Sequence, residues 1–253
     1  MIAAFVLIGG MQPCPAAETL PLSTGEWKPY TSAKMEGYGF FSEIVAAAFK
    51  EAGIEISIDF YPWKRCEATV KSGTAFAAFP YSITEKRKRF SYFSDSVSTS
   101  TTVLFYNNQL HKTPIHFDSM EALRSYSIIG VLGYFYAEKF KEKKIPVYYV
   151  PTEEKALELI FFKRYDLLPL NKYVGIDLID EKFPEKRHFF SLCKTPLSTD
   201  TLHLMISKRF PNSKELTQKF NAALIRLKEQ GKYQKIVDRR VPELSDSAGK
   251  RTD

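Results

Sequence analysis

The sequence predicts an α/β fold with mostly parallel sheets, arranged in two lobes. Two observations carry this. Short apolar segments alternate with amphipathic ones along the chain, the pattern of strand–helix units. The alternation also occurs twice, in runs of roughly 90 to 100 residues, each the size of a small domain.

The elements follow in order. Phe40, Ile44, Ala48 and Ala52 recur every four residues and form the apolar stripe of a helix, with Gly53 as its stop. Ile54, Ile56, Ile58 and Phe60 alternate with Glu55, Ser57 and Asp59, which predicts a strand with one wet face. Trp63 to Lys71 reads as a second helix ended by Ser72-Gly73, and Phe76 to Phe79 as a short buried strand ending at Pro80. Val103 to Tyr106 is another strand.

In the second run Ser119 caps a short helix through Arg124. Ser127 to Val131 is a strand, Phe135 to Lys144 a helix and Val147 to Val150 a strand. Thr152 caps a helix from Glu153 to Phe162, and Asp166 to Leu170 is a strand. Thr201 to Ser207 is a further strand. Ser213 starts a long helix through Leu216, Phe220, Leu224 and Leu227, stopped by Gly231. The polar tail from Ser245 is expected to fray.

Composition narrows the function classes. Of 253 residues 44% are apolar, enough for a core and too many for a disordered chain. A net charge of +7 is too mild to imply nucleic acid by itself. Three cysteines exclude a disulfide scaffold and a zinc ribbon. Aromatic residues reach 14%, an excess that calls for an explanation.

The run Ile2 to Gly10, followed by Ala16-Ala17 before Glu18, fits a secretory signal peptide over residues 1–17. It is too short to span a membrane. It lacks the usual Lys or Arg ahead of the apolar run, so a buried first strand stays open as the alternative. Cys14 lacks the small residues expected before a lipidated cysteine. Cleavage would leave Cys66 and Cys193, either bonded or as two buried thiols.

Familiar catalytic signatures are missing: there is no Gly-x-Gly-x-x-Gly, no phosphate loop, no His-Glu-x-x-His, no Gly-x-Ser-x-Gly and no Cys-x-x-Cys. His111, His116, His188 and His203 are scattered, so no metal site and no cofactor is expected. The basic run Lys86-Arg87-Lys88-Arg89 reads, taken alone, as a solvated face.

One ordered set of segments is more specific. Pro80-Tyr81-Ser82-Ile83-Thr84-Glu85-Lys86-Arg87, followed by Phe93-Ser94-Asp95, resembles the signature of family 3 solute-binding proteins. These are the periplasmic receptors of polar amino acid ABC transporters. Gly37-Tyr-Gly-Phe-Phe-Ser-Glu-Ile, Lys71-Ser72-Gly73, and Phe220-Asn-Ala-Ala-Leu with Glu229-Gln-Gly-Lys-Tyr-Gln-Lys-Ile236 fall in the same order as in that family. The resemblance covers roughly residues 20 to 240.

It implies a type II periplasmic binding protein fold, two α/β lobes joined by two hinge strands that close on a ligand. The expected boundaries are 18–106 and 205–244 for lobe 1, 107–204 for lobe 2, and 245–253 for the tail, with crossovers near Tyr106 and Leu204. It also implies site residues. Arg87 falls where the family holds a ligand carboxylate, a role suited to a guanidinium fork. Ser82 and Thr84 take the hydroxyl positions beside it, and Pro80 a carbonyl position. Trp27, Tyr61 and Trp63 fall at aromatic walls, with core packing as the alternative for Trp63.

Lobe 2 departs from the amino acid binders. Their Gly-Thr-Thr/Gly loop is replaced by Gly133-Tyr134-Phe135-Tyr136, in which Tyr134 and Tyr136 would narrow the cleft or stack. The Asp that pairs with a ligand ammonium is replaced by neutral Asn171. The resemblance therefore implies a periplasmic, non-enzymatic monomer that captures a small carboxylate-bearing, amino-acid-like ligand. Its partner would be an ABC permease or a membrane sensor, with no nucleic acid involved. The alternatives are a cyclohexadienyl dehydratase-like enzyme on the same fold and an orphan sensor.

Overall fold

The computed structural model describes residues 19–240 apart from Gly133 and Phe135. The expected signal peptide, Cys14, the tail from Ser245 and Gly133 of the site lie outside the described residues. Among those described, no helix is long and apolar enough to cross a membrane.

The first lobe opens with β1 (Leu20–Thr24), which pairs in parallel with β2 (Ile56–Phe60) and β3 (Ala77–Tyr81). The helix α1 (Phe40–Glu51) follows the four-residue stripe and ends at Ala52, with Gly53 in the left-handed region just beyond. Next comes α2 (Trp63–Ser72), capped by Gly73 at φ 86°, a backbone angle that favours glycine. The strand β3 does not stop at Pro80. Across it, His203 pairs with Tyr81 and Met205 with Ala78, so Phe79 and Pro80 together oppose Leu204. That bulge is where a strand tolerates a proline, which has no N–H to give the ladder.

After β3 come the short α3 (Glu85–Lys88), β4 (Ser91–Phe93) and the long β5 (Ser98–Asn107). The second lobe then runs through β6 (Ile128–Val131), α4 (Tyr136–Glu142), β7 (Val147–Val150), α5 (Glu153–Phe161) and β8 (Leu168–Asn171). The predicted caps are in place: Ser119 Oγ accepts from Ala122 N and Thr152 Oγ1 from Lys155 N. Then come α6 (Lys172–Lys182), β9 (Phe190–Leu192) and β10 (Ser198–Ser207), and the chain closes with α7 (Ser213–Glu229) and α8 (Lys232–Arg240). The hydrophobic periodicity had not marked α6. Its capping residue Asn171 and the packing of Gly175 against Phe105 define it instead.

Two strands connect the lobes. Ser198–Leu202 of β10 pairs antiparallel with Ser98–Thr102 of β5, and β10 then continues beside β3 while β5 continues beside β8. The apolar residues divide accordingly. Leu22, Phe41, Phe79, Leu204, Ile206, Phe220 and Leu224 share one core, so the N-terminal segment and the C-terminal helices build one lobe together. Val103, Phe105, Leu168, Leu170 and Ile176 belong to a second core, and Tyr106, Leu123, Tyr136 and Phe140 to a third beside it. Cys66 and Cys193 are free buried thiols in separate clusters. Burial raises both, Cys193 to about 12, which keeps them as inert thiols.

The second lobe is stapled to the loop after β5. Asp166 accepts from Ser127 N and Oγ at 2.7 and 2.6 Å, and its other oxygen meets His111 Nε2 at 2.7 Å. Burial pushes this carboxyl up, but the bonds from Ser127 and His111 outweigh that and hold it below the usual range. Because serine bonds aspartate rather than histidine, the trio is a structural clasp and not a nucleophile–base pair.

Candidate functional site

A cavity of about 580 Å³ opens between the lobes at the hinge. Three structural regions line it: the first lobe, the paired hinge strands and the edge of the second lobe.

The first lobe contributes Trp27, Trp63 and the segment from Pro80 to Arg87. Trp27 is held by a tight loop, bonding Thr31 both ways at 2.7 and 3.0 Å, and stacks on Tyr30 at 4.2 Å. Trp63 begins α2. A Cβ at Gly25 would come within 2.6 Å of its indole, so glycine at that position leaves room for the ring. Tyr81 meets Trp63 edge to face and donates its hydroxyl to the Trp63 carbonyl at 2.9 Å.

Arg87 sits on α3, whose first turn is capped by Thr84 Oγ1 accepting from Arg87 N at 3.3 Å. Its guanidinium lies 4.7 Å over the Tyr81 ring and donates to the Ser82 carbonyl at 3.0 Å. Glu67 approaches it at 3.8 Å. A hydrogen bond from Lys71, aided by the charges of Lys71, Arg87 and Lys86, holds the Glu67 carboxyl below its usual range. An anion thus braces the guanidinium from behind. One of its five donors serves Ser82, which leaves most of the fork for a ligand.

The hinge contributes Ser100 and Thr102 from β5 and Asp200 and Leu202 from β10, two residues apart on each strand and so on one face. The second lobe contributes Tyr134 and Asn171. Asn171 is 5% exposed and committed on every side. Its Oδ1 accepts from Tyr173 N and Val174 N, capping α6, and its Nδ2 donates to Tyr30 and Ser100 hydroxyls at 3.1 and 3.0 Å. Burial raises the Tyr30 phenol strongly, so it stays a neutral donor, to Thr99 O at 3.0 Å. Tyr134 donates a hydrogen bond to Glu153, and burial raises its phenol too.

The cavity therefore gathers Trp27, Trp63, Pro80, Ser82, Thr84, Arg87, Tyr134 and Asn171 from the residues the sequence singled out. Tyr61 is not on its wall; Arg65 covers that ring at 4.1 Å. Tyr136, expected to narrow the cleft, is fully buried, and its hydroxyl accepts from Val131 N at 2.9 Å. Sequence reasoning missed Tyr81, Ile83, Ser100, Thr102, Asp200 and Leu202. Extending the period-two pattern of the Thr201–Ser207 strand backwards would have set Asp200 in register with Leu202, the one signal available.

The model for bacterial extracellular solute-binding proteins, family 3, matches residues 22–242. The chain belongs to this family. No curated protein sequence matches it significantly. Among solved structures it is similar to the GluR0 ligand-binding core from Nostoc punctiforme in complex with (L)-glutamate. That pair shares 21% identity over 87% of this chain and 98% of the other, with a TM-score of 0.63. It is also similar to the second substrate binding domain of a putative amino acid ABC transporter from Streptococcus pneumoniae Canada MDR_19A. There the identity is 19%, the coverage 88% and 100%, and the TM-score 0.71. A third relative is an ancestral amino acid-binding protein, a precursor of cyclohexadienyl dehydratase, at 19% identity, 88% and 95% coverage and TM-score 0.61. These likenesses support the two-lobed fold of the family 3 protein.

Proposed function

We propose that this family 3 protein captures a small carboxylate-bearing, amino-acid-like solute between its lobes, outside the cytoplasmic membrane. It then passes the solute to an ABC importer. The observation that carries the reading is Arg87, braced by Glu67 and Tyr81 and turned to a cavity walled by Trp27, Trp63 and Tyr81. A planar guanidinium with free donors suits a carboxylate, and the rings suit the rest of a compact ligand. Ser82 and Thr84 stand beside the fork as further hydrogen-bonding groups.

Isothermal titration with a panel of small carboxylates tests this reading. Binding that Arg87→Ala weakens by about 100-fold supports it. A ligand that binds Arg87→Ala as tightly as the wild type removes Arg87 from the site. Binding is favoured over catalysis because the cavity offers one carboxylate, Asp200, which is exposed and unassisted by a second acid–base group. Incubation with prephenate or arogenate checks this point, and ring aromatisation would establish an enzyme.

A further inference from the structure

Asn171, on the second-lobe wall, is neutral and already bonded on both ends. The cavity nevertheless holds one carboxylate. Asp200 lies on β10, directly opposite Ser100 of β5 in the antiparallel pair. Side chains paired in this way stand about 5 Å apart on the same face. Ser100 in turn accepts from Asn171 at 3.0 Å. Asp200 is thus one side chain beyond Asn171, on the hinge instead of the second lobe.

Two further facts point to a ligand. Asp200 forms no side-chain hydrogen bond or ion pair with any of the described residues, although 36 Lys and Arg are spread through the chain. The remaining walls carry Trp27 and Trp63, aromatic rings of the kind that attract cations; the Tyr81 ring already holds the Arg87 guanidinium. A free carboxylate and aromatic faces share one cavity with a guanidinium clamp.

The geometry points to Asp200 as the residue that recognises a cationic group on the ligand, in place of Asn171. The ligand is then a zwitterion, with its carboxylate on Arg87 and its ammonium or guanidinium on the hinge strand. This rests on the solute-binding reading above. It also sets the cation at a location tied to closure, since β10 runs between the lobes.

The test uses the mature protein and matched pairs of probes: glycine, β-alanine, 4-aminobutyrate and 5-aminopentanoate, plus lysine and arginine, each against its counterpart lacking the amine or guanidine. Titration calorimetry should show at least one amine-bearing member binding about tenfold or more tighter than its counterpart. Asp200→Asn should erase that preference by weakening the amine-bearing member, with the counterpart bound as tightly as before or more tightly once the like charge is gone. Asp200→Ser, neutral and smaller, serves as the second variant, and circular dichroism confirms that each folds. A preference that survives both variants overturns the assignment, as does binding of carboxylates with no preference for the amine. In the latter case Arg87-dependent binding persists and the solute-binding reading stands. If no probe of either kind binds, the solute class fails and this inference with it.

Discussion

The two lobes meet the same cavity with different chemistry. The first lobe presents groups with capacity to spare: the open fork of Arg87 and the rings of Trp27 and Trp63. The second lobe presents Tyr134 and Asn171, and both are already saturated by Glu153, Tyr30, Ser100 and the first turn of α6. In the proposed function the first lobe recognises the ligand and the second covers it. A side chain that caps its own helix holds the wall in shape, whereas one with unused donors can exchange water for ligand.

Substitutions can break or sharpen this contrast. The largest effect is expected at Gly175, where a Cβ would lie 2.4 Å from Phe105 Cζ inside the second core. Gly175→Val should cost about 3 kcal/mol or more, a fall in Tm of roughly 6–12 °C by calorimetry. Next is Arg87→Ala, which should abolish about 100-fold in affinity with Tm nearly unchanged, since its own contacts are half-exposed. Asn171→Ala should show the reverse pattern. Loss of the α6 cap and of two hydroxyl partners costs about 1–2 kcal/mol of stability in urea titration, with a smaller effect on ligand. If it instead removed binding outright, the covering role assigned to the second lobe would be wrong.

The clasp at Asp166 predicts a pH dependence. Its carboxyl is held below the unfolded value, so its contribution is fully present above the unfolded pKa of about 4. That contribution is lost as pH falls through the lower folded value. Thermal melts of Asp166→Asn should therefore converge on the wild type once the pH falls below the lowered folded value, and fall short of it at neutral pH. The smallest effect is expected at Lys28, whose 3.6 Å pair with Glu181 joins the lobes but leaves both side chains about half exposed. Lys28→Ala should change stability by about 0.5 kcal/mol or less.

Much of the first lobe was legible in the sequence. The stripe Phe40-Ile44-Ala48, the stop at Gly53 and the cap at Gly73 are local signals, set by side-chain period and by the backbone freedom of glycine. The resemblance around Ser82, Thr84 and Arg87 is likewise contiguous in the chain. The aromatic excess proved to be mainly core, with Tyr30, Phe40, Phe41, Phe49 and Tyr136 fully buried, while Trp27, Trp63, Tyr81 and Tyr134 reach the cavity. Periodicity could not separate these two groups, because a ring on a wall and a ring in a core obey the same spacing.

By itself, then, the sequence determined most of the longer strands and helices, several helix ends and the family, from local periods and an ordered set of short motifs. The tertiary structure decided what depends on partners far apart. The register of β10 against β5 sets Asp200 beside Ser100, and the bulge opposite Leu204 carries β3 through Pro80. The bond from Asn171 to Tyr30, across 141 positions of chain, ties Asn171 into the wall of the cavity. Strand register and long-range hydrogen bonding are fixed by pairing across the fold, which no local pattern encodes.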